Sequence, residues 1–287
     1  MLQKSTIQLL RFHFSLFLMP VYWFALTQLV NINWNRAALT FVILHILVYP
    51  ASNGYNSYMD RDETPIGGLK NPLQPTKQLF YTTVVMDVVA VTASFFISWY
   101  FALGIFLYIM ASRAYSYRGI RLKQYPLTGY ITVIIFQGAV TYWLVYHGCS
   151  EALYTNASFS GMIAASLLIG GFYPLTQIYQ HKADAADGVE TISYKLGYRG
   201  TFIFCAAVYS VAMAFLGYTF LASLLFVQFF MVLIFFTPIL VYFFWWAVKV
   251  WKDNSAADFK HTMRMNILAS TCTNLGFIIA LIMNHLE

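Results

Sequence analysis

Long apolar runs recur along the whole chain, and they decide what it can fold into. ALTFVILHILVYP, residues 38–50, is one of them. The hydrocarbon core of a membrane takes roughly 17–25 residues of helix to cross, and every backbone amide inside it must be bonded within the segment. The short alternating strands of a membrane barrel do not occur. The runs predict helices at 14–31, 38–64, 79–99, 101–117, 127–147, 159–180, 202–222, 227–249 and 265–284, nine in all. Composition agrees: 60% of residues are hydrophobic and 10% charged, where soluble domains carry about 25% charged residues. The chain therefore reads as an all-α integral membrane protein, a single domain over 1–287. The first run follows Lys4 and Arg11 and lacks a small-residue cleavage pattern, so it is expected to be a retained helix.

With nine helices the loops alternate sides, and every Lys and Arg except Arg36 falls on one side. The positive-inside rule makes that side cytoplasmic, together with the N-terminus, and puts the C-terminus on the other. The net charge of +6 belongs to the cytoplasmic face. It points to anionic lipid or phosphate, with no sign of nucleic acid. Cys149, Cys205 and Cys272 have neither metal nor disulfide spacing and are expected to be packing residues.

Two acidic stripes stand out at cytoplasmic helix ends. In NGYNSYMDRDE, residues 53–63, the residues Asn53, Asn56, Asp60 and Glu63 are spaced 3, 4, 3 and would share one helical face, with Asp62 pointing elsewhere. That helix is expected to stop near Thr64, because the residue before Pro65 disfavours the α region. In QIYQHKADAADGVE, residues 177–190, the residues Gln177, Gln180, Asp184 and Asp187 repeat the spacing. Amide and carboxylate oxygens suit hard cations, and Mg²⁺ prefers a few carboxylates, water and substrate phosphates to a complete protein cage. Such a pair of stripes would bind a diphosphate through metal. Between them, SRAYSYRGIRLKQYP, residues 112–126, carries Arg113, Arg118, Arg121 and Lys123, donors for diphosphate oxygens. Tyr115 and Ser116 add neutral donors, and Lys182 lies inside the second stripe. Arg11 reads as an interface anchor.

Asn56-x-x-x-Asp60, then YSYRGIRLK, then Gln180-x-x-x-Asp184 followed by GVETISYKLG, resemble in order and separation the motifs of the UbiA superfamily of intramembrane prenyltransferases. The resemblance implies a helical bundle around a central cavity, capped by cytoplasmic loops at 53–79 and 177–200. It implies Mg²⁺-dependent transfer of an isoprenoid chain from its allylic diphosphate to a lipophilic, aromatic acceptor, by ionisation to a carbocation. The metal ligands would come from Asn56, Asp60, Asp62, Glu63, Gln180, Asp184 and Asp187. Asn53, Ser116, Arg121, Lys123 and Lys182 would meet the diphosphate, with Asp60, Asp184 and Tyr115 at the reaction centre. The 26 Phe, 21 Tyr and 7 Trp suit a passing cation.

The chain departs from the family pattern in two places. Thr64 stands where NxxxDxxxD has its last acid, and Gln180 stands where the second motif opens with Asp. Helical spacing favours Glu63 over Asp62 as the replacement. Relatives that cyclise their substrate use the same ionisation, so a terpene cyclase is the alternative. A transporter, with His45, Asp87 and Asn274 as a polar path, is a third reading.

Overall fold

A computed structural model of the chain describes residues 2–286. All regular secondary structure among the described residues is helical, without a strand; two isolated bridges, Ile32 with Ser150 and Ile66 with Leu69, are the extended contacts. Seven segments are long and apolar enough to cross a membrane: Lys4–Thr27, Trp34–Asp60, Pro126–Cys149, Phe159–Gln177, Ile192–Ala222, Phe226–Lys252 and Phe259–His285. Helices also cover Lys77–Ser94 and Trp99–Ser116, where two further spans are expected. Lys77 and Asp87 dilute the first of these, and Arg113 with Trp99, Tyr100, Tyr108 and Tyr115 the second, so the count of nine reduces to seven on apolarity. The two charges inside them neutralise each other: the Arg113 guanidinium is paired with the Asp87 carboxylate and lies over the Tyr55 ring, 3.9 Å from its centroid.

The described chain ends lie at opposite ends of the bundle. The Gln3 amide donates to Gln78 Oε1 (2.6 Å) beside the start of helix 77–94, whereas Trp34, at the start of helix 34–60, meets the His285 ring edge-on at 5.7 Å. At the end marked by Trp34, Arg36 caps a helix terminus by donating to the carbonyls of Gly148 (3.1 Å) and Glu151 (2.9 Å). Ser98 and His147 are hydrogen-bonded there too (2.7 Å), so the turn between helices 77–94 and 99–116 reaches that end.

Lipid supplies no hydrophobic drive between helices, so close packing must come from small residues. Helix 159–177 buries Gly161, Ala164, Ala165, Gly170 and Gly171. The tightest approach of backbone to backbone is opposite it, where a Cβ on Gly138 would stand 2.3 Å from Ser166 Cα, and the neighbouring Ala139 amide donates to Ser166 Oγ (3.0 Å). Because backbone cannot move aside cheaply, Gly138→Ala is expected to cost about 1–3 kcal/mol of stability. Thermal unfolding in detergent micelles reads this as a lowered midpoint. At the centre of the bundle Phe24, Phe220 and Phe277 stack within 5.2–6.4 Å of one another, and all three are fully buried. Outward-facing Val85, Val88, Phe230, Ile234 and Val241 are exposed, as a lipid-facing surface requires.

Helix boundaries depart from expectation at both motifs. Helix 34–60 stops at Asp60, because Arg61 turns left-handed (φ 54°) and returns its amide to the Ser57 carbonyl (3.0 Å), a C-terminal cap reached before Pro65 can act. Helix 159–177 stops at Gln177, three residues short of the expected end, and a separate short helix, His181–Ala186, carries Asp184. The next helix begins at Ile192, ten residues earlier than expected, with a kink at Gly197 (φ 66°). The first begins at Lys4 and includes a 3₁₀ turn over Phe12–Phe17. Cys149 and Cys205 are buried and Cys272 partly so, all three as free thiols.

Candidate diphosphate and metal site

One cavity, about 1260 Å³ counted to its open mouth, lies between helices 34–60, 99–116, 126–149 and 159–177. Its rim gathers the two motifs. From the first come Asn53, Asn56, Asp60 and Asp62; from the second, Gln177, Gln180, Asp184 and Asp187. The second stripe thus converges although it is not one helix: Gln177 ends a helix, Gln180 sits in the turn and Asp184 and Asp187 follow on the next element. That element is anchored from behind. His181 is hydrogen-bonded to Ser193 Oγ (2.7 Å), which meets Thr201 Oγ1 (3.0 Å), and burial lowers His181 to about 4, keeping it neutral. Val189 and Thr191 of GVETISYKLG complete the wall, with Thr191 capping the following helix through the Tyr194 amide (3.2 Å).

Cations meet the acids. Lys123 is bonded to Asp60 Oδ2, and Arg121 to Asp187 Oδ2, with Arg121 also 3.8 Å from Asp60 Oδ1. The Asp60 side chain is 5% exposed, and its pairing with Lys123 and Arg121 offsets the cost of burying its charge. Asp184 has no such partner at bonding distance. Burial drives its carboxyl up to about 7; the Lys123 charge opposes this, and the neighbouring Asp62, Asp60 and Asp187 add to it. Asp62 is also raised, chiefly by burial and then by Asp60. Ser116 donates to Asn56 Oδ1 (2.8 Å), and the Tyr115 and Tyr173 hydroxyls are bonded to each other, with Gln177 Nε2 donating to Tyr173 (2.8 Å).

Not every expected residue arrives. Glu63 is exposed and outside the cavity, because the helix that was to carry it has already ended; Asp62, left off the stripe by helical arithmetic, lines the cavity instead. Lys182 is exposed and does not line it either. Arg113 turns away to Asp87, and Glu190 is taken by Lys195 (2.5 Å). Arg118 lies at the outer edge, donating to the Met59 carbonyl (2.7 Å) and reaching Asp187 at 3.4 Å. Arg11 is not a lipid-interface anchor: it is 6% exposed, lines the cavity and donates to the carbonyls of Asn53 and Gly67 (3.1 Å each). Only the fold shows this, since a left-handed turn at Arg11 itself (φ 48°) swings it inward. Tyr173 belongs to no motif in the sequence and lines the cavity all the same, its place four residues before Gln177 being the one signal of a shared face. The polar residues of the transport reading form no path: His45 is bonded to Ser15 (2.6 Å), Asn274 to the Leu16 carbonyl (3.1 Å) and Asp87 to Arg113.

A divalent cation can be tested against these residues. Asp60 Oδ1 and Asp184 Oδ2 are buried without a hydrogen-bond partner. Two such oxygens on facing motifs fit a hard cation. No three His, Cys, Asp or Glu residues among those described converge into a ready-made cage. The donor set therefore fits a metal that shares its coordination with water and substrate phosphate.

Comparison with known proteins gives the same frame. The UbiA prenyltransferase family matches residues 16–268. No curated protein sequence matches the chain. Among solved structures, digeranylgeranylglyceryl phosphate synthase aligns with TM-score 0.63 at 15% identity, over 97% of this chain and 98% of that one. A UbiA homolog from Archaeoglobus fulgidus bound to GPP and Mg²⁺ aligns with TM-score 0.65 at 16% identity, over 97% and 99%. The same homolog bound to DMAPP and Mg²⁺ gives 0.64 at 15%, over 97% and 99%. At these identities the structures speak to the fold, and the family match extends over most of the chain. It belongs to the UbiA prenyltransferase family.

Proposed function

We propose that the chain is a Mg²⁺-dependent intramembrane prenyltransferase that moves an isoprenoid chain from an allylic diphosphate to a lipophilic, aromatic acceptor. The observation that carries this is the facing of two acidic motifs, Asp60 with Asp62 and Asp184 with Asp187, across the mouth of one cavity that also holds Arg11 and Lys123. Family membership and the ligands of the Archaeoglobus fulgidus homolog support the same reading. Bound Mg²⁺ would neutralise the diphosphate and draw charge from the allylic carbon–oxygen bond.

The chain's own residues would do the rest. Asn56, Asp60, Asp62, Gln180, Asp184 and Asp187 would hold the metal; Lys123 and Arg121 take diphosphate oxygens once substrate displaces their carboxylate partners, and Arg11 does so from its place on two backbone carbonyls. When the carbon–oxygen bond breaks, its electron pair leaves with the diphosphate, where these cations meet it. The allylic cation lies against Tyr115 and Tyr173, which line the cavity just below the acids. The acceptor then forms the new bond and loses a proton. We also assign helices 77–94 and 99–116 as crossings, giving nine, with the site and N-terminus cytoplasmic and the C-terminus opposite; their shared run between the two bundle ends supports it.

The test is incubation of purified protein with Mg²⁺ and allylic diphosphates, with and without a phenolic acceptor. Prenylated acceptor is expected. A cyclic hydrocarbon made without acceptor would replace transfer by cyclisation, and no diphosphate consumption under any condition would remove the enzyme reading. Metal affinity should depend on pH with a definite sign. Asp184 holds its proton up to about 7 and must lose it to bind a cation, so Mg²⁺ affinity should rise by up to about tenfold per pH unit below 7 and level off above. Titration with Mg²⁺ at pH 5.5, 6.5 and 7.5 (about one unit apart) checks it.

A further inference from the structure

We propose that Tyr108 and Phe136 form the floor of the cavity and restrict the enzyme to short isoprenoid chains. This rests on the diphosphate reading above. The two rings meet edge to face, 6.1 Å between centroids and 86° between planes, and both line the cavity. Tyr108 is 3% exposed, so the ring is closely packed. Behind it stands Tyr49, 5.9 Å away and fully packed, and behind that His45, edge-on to Tyr49 at 5.0 Å. Neither Tyr49 nor His45 lines the cavity. The cavity ends at the first aromatic layer, and beyond Tyr108 lies a separate narrow void of about 150 Å³, reaching Val48 and Ile109.

The depth follows from helix geometry. Ser116 marks the level of Asn56 by its bond to that residue, one helical turn below Asp60, and Tyr108 lies eight residues deeper on the same helix as Ser116. At 1.5 Å per residue the floor is about 12 Å below Asn56, the deepest of the proposed metal ligands on helix 34–60, room for about two or three extended isoprene units. On helix 126–149 the deepest lining residues are Phe136 and Gln137, and on helix 159–177 nothing deeper than Tyr173 contributes. A chain of four units would have to displace the Tyr108–Phe136 pair, which close packing opposes. The floor is therefore a ruler set by two side chains.

The experiment measures binding, so it needs no acceptor. Full-length protein in lipid nanodiscs with Mg²⁺ is titrated with the unreactive thiolodiphosphates of geranyl, farnesyl and geranylgeranyl chains, and with inorganic pyrophosphate. The geranylgeranyl compound is expected to bind at least tenfold more weakly than the better of the two shorter ones. Phe136→Ala and Tyr108→Ala are each expected to remove most of that ratio, and Tyr108→Trp to weaken farnesyl relative to geranyl. Each ratio is internal to one variant, so a general loss of affinity or stability cancels. Equal binding of all three lengths by the natural sequence, or a ratio unmoved in all three variants, overturns the floor while leaving pyrophosphate binding intact. If pyrophosphate and every thiolodiphosphate fail to bind with Mg²⁺, the diphosphate reading falls and the floor with it.

Discussion

Replacing Asp184 by Ala is expected to lower diphosphate turnover by about a thousandfold, with no loss of stability. The two halves of that expectation have separate causes. Asp184 Oδ2 is buried with no partner, so the carboxylate is free to take a cation and its removal deletes a ligand. The same burial holds its proton up to about 7, and no cation is paired with it, so the folded chain gains nothing from its charge. Removing it relieves a desolvation cost. Asp60→Ala should lose as much turnover and behave differently in stability. Asp60 neutralises Lys123, whose side chain is 12% exposed, and helps hold the buried Arg121. Stranding buried cations costs about 3–5 kcal/mol, so a lowered unfolding temperature should accompany the loss. Turnover retained in both variants would remove these residues from the site, and a stability loss in Asp184→Ala as large as in Asp60→Ala would contradict its unpaired environment.

Asp62→Ala is expected to cost about a hundredfold in turnover, and Glu63→Ala less than about twofold. Sequence spacing argues the reverse, because a continuous helix would put Glu63 in line with Asp60. The helix ends first. Arg61 adopts φ 54°, the direction of the chain changes, and Asp62 lines the cavity while Glu63 faces out. Comparing the two variants under identical Mg²⁺ and substrate reads the turn directly. A larger loss at Glu63 would mean that the helix continues past Asp60 in the working enzyme.

Much of the fold was legible because its cause is local. Runs such as ALTFVILHILVYP must be helical in lipid, whatever they pack against, and the helices fall where the runs do. The apolar measure of a span is less forgiving than its position: helices 77–94 and 99–116 form, with Asp87 and Arg113 inside them, because each charge meets the other. That pairing joins residues 26 apart and has no sequence signal. The candidate site was legible where it depended on residue type, so Asn56, Asp60, Gln180, Asp184 and Asp187 all reach the cavity. It was illegible where it depended on a single backbone turn. Left-handed turns at Arg11 and Arg61 decided that Arg11 enters and Glu63 leaves, and a helix end at Gln177 did not prevent the second motif from converging.

By itself the sequence determined that this chain lives in a membrane as helices, because lipid leaves a backbone no other partner, and that it carries two acidic motifs suited to a divalent cation and a diphosphate. Only the tertiary structure decided which acids face the cavity, which cations neutralise them, and where the cavity stops. Those outcomes depend on pairs such as Lys123 with Asp60 and Tyr108 with Phe136, held on different helices. Their distance in space is set by packing, not by spacing along the chain.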